Sequence, residues 1–197
     1  MTSTTTPTDR SKALTGTFPP PPKAVDELLY LQRVLQGGDK QKIAELGDIS
    51  DLPSPWEPAG CDDALRELIW HWCDDVATWI NRNYVWRPTS LIPACWPRHP
   101  HIAQELPVLA CLHDTALHAH GPQLLEEWQR QTLPTFLERL AARLGDGGCS
   151  IGRHDSWPAL PRYNAFTNAD AIQERQDLFH TDTHPPTQLR NPHLIGA

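Results

Sequence analysis

Two short pairs of soft and borderline metal donors stand out in this chain. Cys95 and His99 have the spacing C-x3-H, and Cys149 and His154 have the spacing C-x4-H. Thiolate sulfur and neutral imidazole nitrogen are the donors that tetrahedral Zn2+ prefers, and two pairs supply the four ligands of a closed structural site. The bland alternative is that Cys95 packs beside Trp96 while Cys149 belongs to a glycine-rich helix exit with a chance histidine. His101 and His113 are the substitute ligands if the set is wrong by one residue. A bound structural zinc releases protons from its thiols and contributes folding free energy directly.

Nucleophilic chemistry has weaker support. Cys111 with His113, or Cys95 with His99, could form a Cys-His dyad, but neither has a recognisable third group to orient the base. No phosphate-cradling glycine loop, dinucleotide fingerprint or H-E-x-x-H motif is present. The carboxylate pairs Asp62-Asp63, Asp74-Asp75 and Glu126-Glu127 fall on expected exposed helix faces, where solvated charge is the simpler account. The chain therefore reads as a non-enzyme.

The elements that must position the two pairs are helical. Residues 23–36 carry Val25, Leu28, Leu29, Leu31, Val34 and Leu35 at helical spacing and stop at Gly37-Gly38. A shorter helix at 40–46 is expected, capped by Asp39 and ended by Gly47. The strongest period runs through residues 62–81, where Leu65, Leu68, Ile69, Trp72, Cys73, Val76, Trp79 and Ile80 advance by threes and fours. Cys73 on that stripe is a packed thiol.

Pro97 and Pro100 keep residues 94–99 from forming one helix, so Cys95 and His99 are presented from a turn. Pro100 opens the next helix, whose buried side is Ile102, Ala103, Leu106, Leu109, Ala110, His113, Ala116 and Leu117. Pro107 kinks it without ending it, since the apolar spacing continues in phase. Cys111, His118 and His120 fall off the stripe and read as surface. A kinked helical segment follows over 122–144, with Pro134 inside it, and glycines 145, 147 and 148 close it.

The fold expected is mainly α: a small bundle of four to five helices, kinked at prolines, with disordered N- and C-terminal tails. Residues 1–22 form a disordered arm ending in Phe18 and four prolines, whose functional alternative is a docking peptide for an aromatic groove. Residues 23–160 form the helical domain, with its core at 61–154. Residues 161–197 form a mobile tail with capacity for a short helix at 168–179.

Charge and cysteine usage narrow the partners. A net charge of -7 and a pI near 5.7 provide no global attraction for phosphates, so nucleic acid is a disfavoured partner. No apolar run reaches the length of a membrane span, and the first residues lack the apolar middle of a secretory signal. Five cysteines without disulfide-framework spacing suit a reducing cytoplasm. Eight tryptophans leave aromatic surface for a protein partner or for a homodimer.

Over roughly residues 61–154 the chain resembles a family of small helical actinobacterial proteins carried on plasmids, conjugative elements and phages. The resemblance rests on Pro93-Ala94-Cys95-Trp96 with His99-Pro100, on Trp128 with Leu133-Pro134, and on Cys149 with His154. Pro107 and the stretch beyond Trp157 depart from that pattern. The resemblance implies a chain that serves a mobile element; the helix count, the two Cys/His pairs and the absence of catalytic machinery make it an accessory or adaptor protein acting through protein contacts. The alternative readings of the chain are a DNA-associated regulator of such an element and a zinc-dependent hydrolase. The family brings no catalytic residues.

Overall fold

The computed structural model describes residues 16–38, 40–46, 52–144, 149, 154 and 159–184. The chain divides into two compact units, Met1–His154 and Asp155–Ala197. All regular structure among the described residues is helical. Asp39 and Gly47, the expected cap and stop of the second helix, lie outside them.

In the first unit, α1 (Lys23–Gly37), α3 (Asp63–Asn83) and α4 (Pro100–Leu117) pack around one core, with α2 (Lys40–Leu46) on α1. α1 ends where Gly38 adopts φ 65, a left-handed value that a side chain would disfavour. α3 is the central rod. Asp62 Oδ1 accepts from the Leu65 N–H at its start, and seven of its residues are buried, from Leu65 to Ile80. Leu68, assigned to the same stripe from spacing, is exposed.

Pro107 lies inside an unbroken α4, as its in-phase apolar spacing requires. The segment after it behaves similarly. α5 (Gln123–Glu127), a π-type wide turn (Trp128–Thr132) and α6 (Leu133–Leu144) follow without a break. The wide turn directly precedes Pro134, whose ring would strike the Arg130 carbonyl four residues back in regular α geometry. Widening removes that clash and keeps the segment continuous. The described residues thus form seven continuous helical rods, counting 123–144 as one, instead of the four to five expected.

Three residues of α4 correct the reading of its faces. Cys111, read as surface, is 5% exposed, whereas Leu117, read as buried, is 53% exposed. Asp114, not singled out by spacing, is buried at 3% and meets Arg33 Nη1 of α1 at 2.6 Å. The α1–α4 ion pair explains how a carboxylate survives there: a buried charge requires a close partner.

The arm also differs from expectation in its described part. Residues 16–22, placed in a disordered arm, lie extended along α3 and α4, with Phe18 against the core. Residues 1–15 lie outside the described set. In the second unit, α7 (Leu160–Phe166) and α8 (Ala169–Thr183) stand together and Asn168 caps α8, which covers the short helix expected at 168–179; α7 lies in the stretch read as tail. No residue of either helix is buried.

Candidate metal centre

The turn that carries Cys95 is fixed to α3 from two sides. Asn81 grips the backbone of Ile92 through both of its amide atoms, donating to the carbonyl and accepting from the N–H at 2.9 Å each. Trp96 is buried, donates from Nε1 to Asp74 Oδ1 at 2.9 Å and lies beside the Trp70 ring. These contacts locate the 3-10 turn Trp96–Arg98 between the two ligands. His99 occupies the N-cap position of α4, where its carbonyl accepts from the N–H groups of Ile102 and Ala103. Its ring is not used as a cap, so it is available to the cluster.

The opposite side is held by α6. Glu105 of α4 binds both Arg139 and Arg143 of α6. Burial works against the Glu105 charge, but the two guanidiniums outweigh it and keep its pKa below the usual carboxylate value. This clamp brings the end of α6 to the first turns of α4. Five residue steps, spanning at most about 18 Å when extended, then separate Leu144 from Cys149. Cys149 can therefore reach His99.

The four sequence-predicted residues converge. Cys95 Sγ lies 3.4 Å from His99 Nε2, Cys149 Sγ lies 3.2 Å from the same nitrogen, and Cys149 Sγ lies 3.5 Å from His154 Nδ1. All four donor atoms lie within 4.8 Å of one another. His154 is the most exposed of them, closing the outer side. A tetrahedral ion with bonds of about 2.0–2.3 Å has donor–donor edges of roughly 3.3–3.8 Å. The sulfur–nitrogen separations match that size, so the group could hold a metal ion.

Without an ion, the electrostatics favour the neutral forms of Cys95 and His99. Burial, then the neighbouring Cys149 thiol, push the Cys95 pKa up. Burial, then the charges that His154 and His101 would carry, lower that of His99. A divalent cation reverses the preference at the Cys95 sulfur by stabilising thiolate, and it takes the His99 imidazole in the neutral form already favoured.

The substitute ligands do not join this group. His101 sits beside His99, with ring centroids 5.8 Å apart, but its buried Nε2 has no hydrogen-bond partner and is absent from the cluster. His113 is in the core near Phe18 and Trp128. The proposed Cys111 nucleophile is also in the core. Burial pushes its pKa up to about 12, and Cys73 is raised further. Such thiols are poor nucleophiles.

One other acidic group appears among the described residues, formed by Asp26, Asp114 and His118. The Arg33 guanidinium already neutralises Asp114, with its other nitrogen 4.0 Å from Asp26. Sequence spacing missed this cluster because its members come from two helices 81 residues apart at the Arg33–Asp114 contact. No helix among the described residues is long and apolar enough to cross a membrane. No family description, curated protein or solved structure matches the chain.

Proposed function

We propose that Cys95, His99, Cys149 and His154 hold one structural Zn2+ and that the chain is a non-enzymatic adaptor acting through protein contacts. The convergence of four donor atoms from two distant stretches within 4.8 Å carries this reading. Two sulfurs and two imidazole nitrogens suit zinc better than the oxygen-seeking Ca2+ or Mg2+. Four protein ligands complete a tetrahedron, whereas a hydrolytic zinc needs a position for water. The ion would tie the turn before α4 to the segment after α6, fastening the two sides of the bundle at one end.

The resemblance over residues 61–154 supports assigning the adaptor to a mobile genetic element, and five cysteines without disulfide-framework spacing support a reducing cytoplasm. The net charge of -7 favours protein contacts over nucleic acid. X-ray absorption at the zinc edge separates the structural reading from the hydrolase. Two sulfurs at about 2.3 Å with the outer-shell scattering of two imidazole rings support the staple, while a light atom at about 2.0 Å without a second ring supports a water ligand and hydrolysis.

A further inference from the structure

A different part of the first unit carries a second proposal, independent of the zinc. Residues 16–22 lie across aromatic side chains of α3, α4 and the wide turn. The Trp79 indole donates from Nε1 to the Gly16 carbonyl at 2.9 Å, and the Trp72 indole donates to the Pro19 carbonyl at 3.0 Å. Between these anchors, Phe18 stacks on His113 with centroids 3.7 Å apart and an interplanar angle of 14°. It also presents edge contacts to Trp79 and Trp128, at 5.1 and 6.2 Å.

The spacings match. Trp72 and Trp79 are two helical turns apart, which is about 10.5 Å along the α3 axis. Gly16 and Pro19 are three residues apart, one turn of polyproline II helix or about 9.3 Å. Pro22 has φ -56 and ψ 150, within that conformation, and the four consecutive prolines restrict φ through the run. Indole donors at this separation therefore read successive turns of a polyproline helix through carbonyls that any sequence supplies. The slot between them selects an aromatic side chain. Gly16 itself is dispensable to this reading, since an added Cβ would meet Trp79 only at ordinary contact distance, 3.8 Å.

Two observations distinguish the arm from permanent core. None of residues 16–22 is fully buried, while the residues beneath them include Trp72 at 1% and Trp128 at 2% exposure. His113, 4% exposed, has a buried Nδ1 with no hydrogen-bond partner under the resident Phe18. An unanswered buried polar atom is costly, so the resident segment is an incomplete fit.

We propose that Trp72, Trp79, His113 and Trp128 form a recognition groove for an extended peptide with an aromatic residue followed by prolines. The chain's own Phe18–Pro22 segment occupies it in cis, and a partner protein carrying such a segment displaces it. Pro22 leads directly into α1, with the Asp26 N–H donating to its carbonyl at 2.9 Å, so the resident competes at high effective concentration.

The test uses the full chain with Phe18→Ala, wild type as reference, and a synthetic Thr-Gly-Thr-Phe-Pro-Pro-Pro-Pro-Lys peptide corresponding to positions 15–23. Binding is followed by the Trp72 and Trp79 indole N–H resonances. The peptide should bind the variant at least about tenfold more tightly than wild type, because the cis competitor is weakened. Replacing the peptide phenylalanine by alanine should remove at least about tenfold of that affinity, the loss of a buried aromatic anchor. Three results overturn the proposal: no saturable shift at about 1 mM peptide in a variant that still melts cooperatively; no cooperative melting of Phe18→Ala, which makes the arm fixed core; or a dimer exchanging arms, which makes a second copy the occupant.

Discussion

At the scale of single residues, the C-x3-H and C-x4-H pairs were the part of the site legible in sequence. Short spacing from a turn limits where two side chains can point, and Pro97 with Pro100 announced that turn. Cys111 was misread because an off-stripe position on one helix can still face a third element. Its thiol is near Cys73 of α3, whose pKa the Cys111 charge would raise. If the cluster is a zinc site, Cys95→Ser and Cys149→Ser should each lose about 3 kcal/mol, lowering Tm by roughly 6–12 °C for a domain this size. Cys61→Ser is the control, because Cys61 is outside the cluster and its sulfur lies near the Ser54 and Glu57 carbonyls. An equal fall for all three variants would remove the special role of the pair.

His113 supplies a pH prediction of its own. Burial alone lowers its folded pKa from 6.5 to about 4. Between those values the unfolded chain takes up a proton that the folded chain refuses, so stability must fall as pH drops. The slope from this group should reach about 1.4 kcal/mol per pH unit within that window and vanish above it. Denaturant unfolding of wild type and His113→Phe between pH 7 and pH 5 measures the difference, expected as a shallower pH slope in the variant. Identical slopes would show that His113 becomes protonated without unfolding.

At the scale of elements, periodicity revealed the rods and missed the contacts that arrange them. The helical spacing of α1, α3 and α4 was visible because each buries a continuous stripe. The Arg33–Asp114 pair, the Asn81 grip on Ile92 and the Glu105 clamp were not, since each joins distant segments and leaves no local pattern. Arg33→Met should cost about 3 kcal/mol by stranding the Asp114 carboxylate, and adding Asp114→Leu should recover most of it. Glu105→Gln should weaken the hold of α6 and lower zinc affinity by about tenfold, the low end for groups supporting a metal site from outside. Competition against a calibrated chelator measures that loss. Unchanged affinity would mean that the clamp does not position Cys149.

At the scale of the whole molecule, the helical class followed from the repeated three-and-four spacing, but the number of rods did not. α8 overlaps the short helix legible at 168–179, whereas α7 left no apolar period to detect; neither buries a residue, even though Arg175 lies over the Phe166 ring at 4.0 Å. Short helices without burial open easily. Amide exchange over Leu160–Phe166 and Ala169–Thr183 should therefore run at least about 100-fold faster than at Ile69, Val76, Leu106 and Ala110. Similar protection in both sets would show an apolar partner covering the hairpin.

The metal content of protein purified without added zinc bears most directly on this account. About one equivalent of zinc per chain, lost on Cys95→Ser or Cys149→Ser and retained on Cys61→Ser, is the predicted result. Less than about a tenth of an equivalent in the unsubstituted chain would contradict it.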